Sequence, residues 1–123
     1  MSSFSFARLI LCLVLTFSVL APALAQVRFV SGTEDLPLMT GLDEVEDGGL
    51  VFDTPAGRLV EARAEGALAA SAVRAFYAET LPQLGWRSLE KGDYAREGEV
   101  LTIDITEGNS GLAVRFALTP QTQ

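Results

Sequence analysis

The residues able to do chemistry in this chain of 123 amino acids are almost all carboxylates and guanidiniums. Histidine is absent and the single cysteine is Cys12. Lack of imidazole removes the commonest general base and the commonest zinc ligand together. With it goes any Ser-His-Asp or Cys-His nucleophile. The glycines stand singly or as Gly48-Gly49, which gives neither a phosphate loop nor a dinucleotide fingerprint. What is left is oxygen chemistry. Asp53, Glu61, Asp104 and Glu107 have the side chains for a carboxylate pair, but a glycosidase-like pair needs a deep cleft that raises one pKa. A carboxylate-based hydrolase is therefore the third alternative, behind two binding functions.

The run "GLDEVEDGG" at 41–49 supplies Asp43, Glu44, Glu46 and Asp47 as oxygen ligands. Its spacing lacks the EF-hand acids at loop positions 3 and 12. A solvated acidic loop is the simpler account, with loose bridging by calcium as a weak metal site. No cofactor is expected. Arg58 follows a turn and is able to present its guanidinium to an anion, but pairing with Asp53 across a hairpin, or with nothing, is the more economical expectation.

These side chains need elements to position them. Residues 50–65, "LVFDTPAGRLVEARAE", are two β-prone runs around Asp53-Thr54-Pro55-Ala56-Gly57, where Pro and Gly supply turn geometry. In the second run Val60, Ala62 and Ala64 share one face while Leu59, Glu61 and Arg63 share the other. After Gly66 the period changes. Val73, Phe76, Tyr77, Leu81 and Leu84 recur at helical spacing, which predicts an amphipathic helix from about Leu68 to between Thr80 and Leu84. In the last third, Leu101, Ile103 and Ile105 alternate with Thr102, Asp104 and Thr106. Beyond "EGNSG", Leu112, Val114, Phe116 and Leu118 alternate with Ala113, Arg115 and Ala117. Two neighbouring strands with one apolar and one mostly polar face follow.

The phrase "FYAETLPQLGW" at 76–86 joins helix to sheet. Phe76, Tyr77 and Leu81 are expected to cover the sheet, Pro82 and Gly85 to end the helix, and Trp86 to open the next strand. The predicted architecture is a two-layer α+β sandwich, one amphipathic helix on a mainly antiparallel sheet in the order β-β-α-β-β-β. Its uncovered face would carry Glu61, Arg63, Thr102, Asp104, Thr106 and Arg115, the candidate binding residues. A free sheet edge is able to pair with a second copy or with a partner strand.

The N-terminus bears on location. Arg8, the apolar run Leu9–Leu20 and Ala23-Leu24-Ala25 form the pattern of a secretory signal peptide cut after Ala25. The run is shorter than the roughly 20 apolar residues of a spanning helix. No stable membrane span is expected after cleavage, and a periplasmic location follows. Residues 26–49 then read as an extended lead segment, with Leu36, Leu38, Met39, Leu42 and Val45 available to pin it to the domain. Residues 50–120 form one α+β domain and 121–123 a polar tail. Loss of the leader, whose one charge is Arg8, takes the formal net charge from −7 to −8. That balance disfavours nucleic acid and anionic membrane faces as partners.

The phrases "LVFDTPAGRLVEA", "VRAFYAETLPQLGW", "YAREGEVLTI" and "VRFALTP" together resemble a group of small exported proteins of alphaproteobacteria that share the Phe-Tyr, Leu-Pro, Gly-Trp helix end. The resemblance covers most of residues 36–120. It implies a periplasmic location and a similar fold and transfers no catalytic residue. The expectation is a non-enzymatic binding or accessory module that contacts a protein partner or a cell-envelope component. A small-ligand or calcium carrier is the second alternative.

Overall fold

The computed structural model describes residues 26–122. The expected signal peptide, residues 1–25 with Cys12, lies outside the described residues. The chain forms β1 (Asp43–Glu44), β2 (Leu50–Thr54), β3 (Gly57–Gly66), α1 (Ala70–Gln83), β4 (Arg87–Ser88), a 3-10 turn at Glu90–Gly92, β5 (Tyr94–Arg96), β6 (Glu99–Gly108) and β7 (Gly111–Pro120). All pairings are antiparallel, in the order β1-β3-β7-β6-β5-β4, with β2 also on β3. One helix on one face of this sheet is the expected α+β arrangement. The expected order gains two strands, β1, which hangs on the far end of β3, and a fourth strand after the helix. The strand expected to open at Trp86 pairs only at Arg87–Ser88, because Lys91 and Gly92, both at positive φ, turn the chain back.

The hairpin of β2 and β3 closes with Thr54 opposite Gly57. Gly57 has a φ of +136°, a value that glycine adopts without strain. From there β3 runs ten residues and pairs with β7 along 60–66. Because side chains alternate across a strand, Val60, Ala62 and Ala64 meet Leu112, Val114, Phe116 and Leu118 on the helix side, and all are buried. Leu101 of β6 joins them. From α1, Ala70, Val73, Tyr77 and Leu81 complete the layer at intervals of three and four. Tyr77 lies edge-on to Phe116, with ring centroids 5.5 Å apart, a favoured aromatic geometry.

The helix ends as its sequence dictates. The Trp86 N–H donates to the Leu81 carbonyl and the Gly85 N–H to the Pro82 carbonyl, both at 3.1 Å. This is the Schellman arrangement, and Gly85 supplies the left-handed residue it requires at φ +88°. Pro82 sits in the last turn, and the Ala78 carbonyl it leaves unbonded lies on the exposed side of the helix.

The lead segment is part of the core. Val30, Leu36, Leu38 and Leu42 are buried with the helix and sheet. Met39 is half-buried, while Val45 stands 38% exposed. The segment folds on itself through the Val30 N–H to the Leu36 carbonyl and the Leu38 N–H to the Arg28 carbonyl, both 2.8 Å. Two long-range ties hold it down, and a third closes it on itself. The Tyr77 hydroxyl donates to the Pro37 carbonyl at 2.9 Å and accepts from the Met39 N–H at 3.2 Å. Arg96 makes a bidentate pair with Asp35 at 2.7 and 2.9 Å. Arg28 binds Asp43 and the Leu42 carbonyl.

Candidate functional site

The face of the sheet away from α1 brings the six expected binding residues together. The register sets Arg63 opposite Arg115 and Arg115 opposite Asp104, with Glu61 one step along β3 and Thr102 and Thr106 flanking Asp104 on β6. Arg115 is the hub. Its Nη1 donates to Asp104 Oδ2 at 2.9 Å, its Nη2 to Glu61 Oε2 at 3.2 Å, and its Nε lies 3.1 Å from Glu61 Oε1. Arg63 approaches Glu61 at 3.7 Å. Hydrogen bonding from Arg115 pulls the Glu61 carboxyl below its ordinary pKa, and the same bond raises that of Arg115.

This arrangement has a chemical consequence. Two cations and two carboxylates neutralise each other within the face. The carboxylate nearest the hub is held ionised, so it has no proton to give as a general acid. The guanidiniums already face carboxylates, which leaves less of them for an anionic ligand. The other two carboxylates of the pair hypothesis are elsewhere. Asp53 and Glu107 lie near opposite ends of the sheet and, by strand alternation, on its other face.

The acidic run does not converge either. Asp43 turns to Arg28 at 3.1 Å, while Glu44 accepts from the Ser31 N–H and hydroxyl, both 2.8 Å. Glu46 and Asp47 stand in solvent. Among the described residues, no group of three or more acidic, His or Cys side chains is placed to hold a metal ion. Asp43 and Glu44 do line an open cleft of ≈ 580 Å³ with Glu65 and Glu107 at the end of the sheet.

Arg58 departs from expectation. It faces Asp53 in the register, yet its Nε lies 3.6 Å from Glu99 and its Nη1 points at the Gly32 carbonyl at 3.4 Å. The cross-hairpin ion pair is not made, because the lead segment and β6 offer Arg58 two acceptors on the helix side. Nearby, Arg96 stacks over the Trp86 ring, its guanidinium carbon 4.3 Å from the centroid. Trp86, Asp35, Arg96, Glu99 and Arg58 line a cavity of ≈ 90 Å³. Hydrogen bonding to Arg96 is the main cause of the lowered Asp35 pKa.

The feature that sequence reasoning did not single out is the apolar edge formed by β2. Leu50, Val51 and Phe52 are 49%, 55% and 53% exposed. Leu50 stands opposite Glu61 and Phe52 opposite Leu59, on the outer face, while Val51 stands opposite Val60 on the helix side. Phe52 faces Leu59 and Val100 faces Thr119, and Leu59, Val100 and Thr119 line one shallow hollow. Beyond β2 no strand follows among the described residues. Of the usual devices that blunt an edge, residues 50–54 have no lysine, no proline and no break in register, and Asp53 is their one charge. The one available signal was the phrase "LVF", three β-prone apolar residues in a row.

Comparison of the chain with protein-family models, curated proteins and solved structures finds no match. The site's own geometry carries the functional reading. No helix among the described residues is long and apolar enough to cross a membrane.

Proposed function

We propose that this protein is an exported, periplasmic binding module without enzymatic activity, which holds a protein partner or cell-envelope component on the outer sheet face and its β2 edge. The observation that carries the reading is the run of three consecutive exposed apolar residues, Leu50, Val51 and Phe52, along one sheet edge. Large exposed apolar groups clustered in one place and rimmed by polar residues are the usual mark of an interaction surface. The neighbouring Glu61–Arg115–Asp104 cluster supports it, since ion pairs already satisfied within one chain form a fixed rim and need no ligand to neutralise them.

Site-specific photo-crosslinking in cells tests the reading. A photoreactive residue at Phe52 should give one dominant adduct, and the same residue at Glu79, on the exposed side of α1, should give none. Equal labelling from both positions, or none from either, would sink it. Fractionation with N-terminal sequencing checks export: the mature chain should begin at Gln26 in the periplasm.

A further inference from the structure

Resting on that reading, we infer that β2 takes up its partner by strand addition, and that the partner is an extended polypeptide segment in which apolar residues alternate with Lys or Arg. Strand addition uses the backbone groups of a free edge for affinity and alternate side chains for specificity. The free edge of β2 meets the first condition. Side chains of an added strand would fall alternately on the two faces. On the outer face they meet Leu50 and Phe52, and on the helix side Val51 and Asp53.

Charge selects the rest. Asp53 makes no ion pair among the described residues, because Arg58 has turned to Glu99. At the other end of β2 the chain arrives from Glu46 and Asp47, both exposed and likewise without a cationic partner. An added strand therefore runs between carboxylates at both ends. A second copy of this chain would bring its own Asp53, Glu46 and Asp47 to the same edge, on a molecule of formal charge −7. Like charges opposed across strands are destabilising, so a basic, apolar segment is the occupant that fits. A lysine or arginine stem also covers Val51 while its head reaches Asp53.

The test uses the mature chain, residues 26–123, and an eight-residue fluorescent peptide alternating Val and Lys. Two controls accompany it: a Val and Glu peptide, and a Val and Lys peptide N-methylated on alternate backbone nitrogens. Binding is read by anisotropy at physiological salt and located by amide hydrogen exchange. The expected result is binding of the Val and Lys peptide about tenfold or more tighter than of either control, with new protection confined to residues 50–54. Asp53→Lys should weaken it several-fold while leaving the exchange pattern of the core unchanged. Equal affinity for the N-methylated peptide would overturn strand addition, as would protection only around the Asp43–Glu107 cleft. A free protein that sediments as a dimer with 50–54 already protected would overturn the basic segment in favour of self-pairing. A specific Phe52 crosslink without peptide binding refutes this inference alone, whereas loss of both refutes the binding module as well.

Discussion

Tyr77→Phe isolates the tie between helix and lead segment. The substitution keeps the ring, and with it the edge-on contacts to Phe116 and Phe76. It removes the hydroxyl that donates to the Pro37 carbonyl and accepts from the Met39 N–H. Tyr77 is 1% exposed, so water does not simply replace the hydroxyl, and two backbone groups lose their partner. A buried group left unsatisfied costs about 1–3 kcal/mol. With one of the two relaxing toward solvent, the variant should lose about 2 kcal/mol, and at roughly 4–8 °C per kcal/mol for a domain of this size its Tm should fall by about 8–16 °C.

A second signature belongs to the same hydroxyl. Burial pushes the Tyr77 pKa up to about 12. The folded chain thus holds this proton more tightly than the unfolded chain, whose tyrosine titrates near 10. The stabilisation is complete below about pH 10 and is lost as pH rises toward 12. At about 1.4 kcal/mol per pKa unit this alkaline loss amounts to roughly 3 kcal/mol in the parent chain. The phenylalanine variant should retain only the smaller loss due to Tyr94, whose pKa burial also raises. Urea unfolding at pH 7, 10 and 11.5 reads both effects. A variant within about 0.5 kcal/mol of the parent at pH 7, the scatter of ordinary surface substitutions, would refute the tie. An unchanged alkaline limb would refute the assignment of the proton.

Three other perturbations follow from single contacts. Asp35 is held below its ordinary pKa by Arg96; its stabilisation is present above the unfolded value of about 3.9 and is lost as pH falls through the lower folded value. Asp35→Asn should therefore flatten the acid limb of a stability-versus-pH curve and lower stability at pH 7. Gly85→Ala adds a Cβ whose nearest neighbour is the Arg96 Cδ at 3.6 Å, so its cost is the left-handed backbone alone, about 1–2 kcal/mol by urea unfolding. Gly66→Ala is different in kind: its Cβ would run into the Gly41 carbonyl, and forcing lead segment and β3 apart should cost about 1–3 kcal/mol and loosen exchange at residues 41–44.

What the sequence made legible is what local periodicity controls. Alternation in "LTIDIT" and "LAVRFALT" assigned the two faces of β6 and β7, and spacing of three and four assigned the buried side of α1. The helix end was readable because its geometry is specified within six consecutive residues, Leu81 to Trp86, with Pro and Gly at positions their backbones favour. Contacts between distant positions had no such signature. Asp35 and Arg96 are 61 residues apart, and Tyr77 reaches back 40 residues to Pro37; either arginine or tyrosine would look the same in the sequence if it faced water.

The choice made by Arg58 shows why the site was harder to read than the fold. Adjacency in a hairpin favours Asp53, but a long side chain pairs with whatever acceptors tertiary packing brings within reach, and here these are Glu99 and the Gly32 carbonyl. That choice leaves Asp53 without an ion pair beside an apolar edge. Whether a strand is an edge is likewise not a property of its residues. "LVF" would read identically with a neighbour on both sides, and it is because no strand lies beyond β2 among the described residues that three ordinary core-like residues become an exposed surface. Four of the six binding residues expected from alternation, Glu61, Arg63, Asp104 and Arg115, are paired off among themselves. The exposed apolar surface arises where the sheet stops.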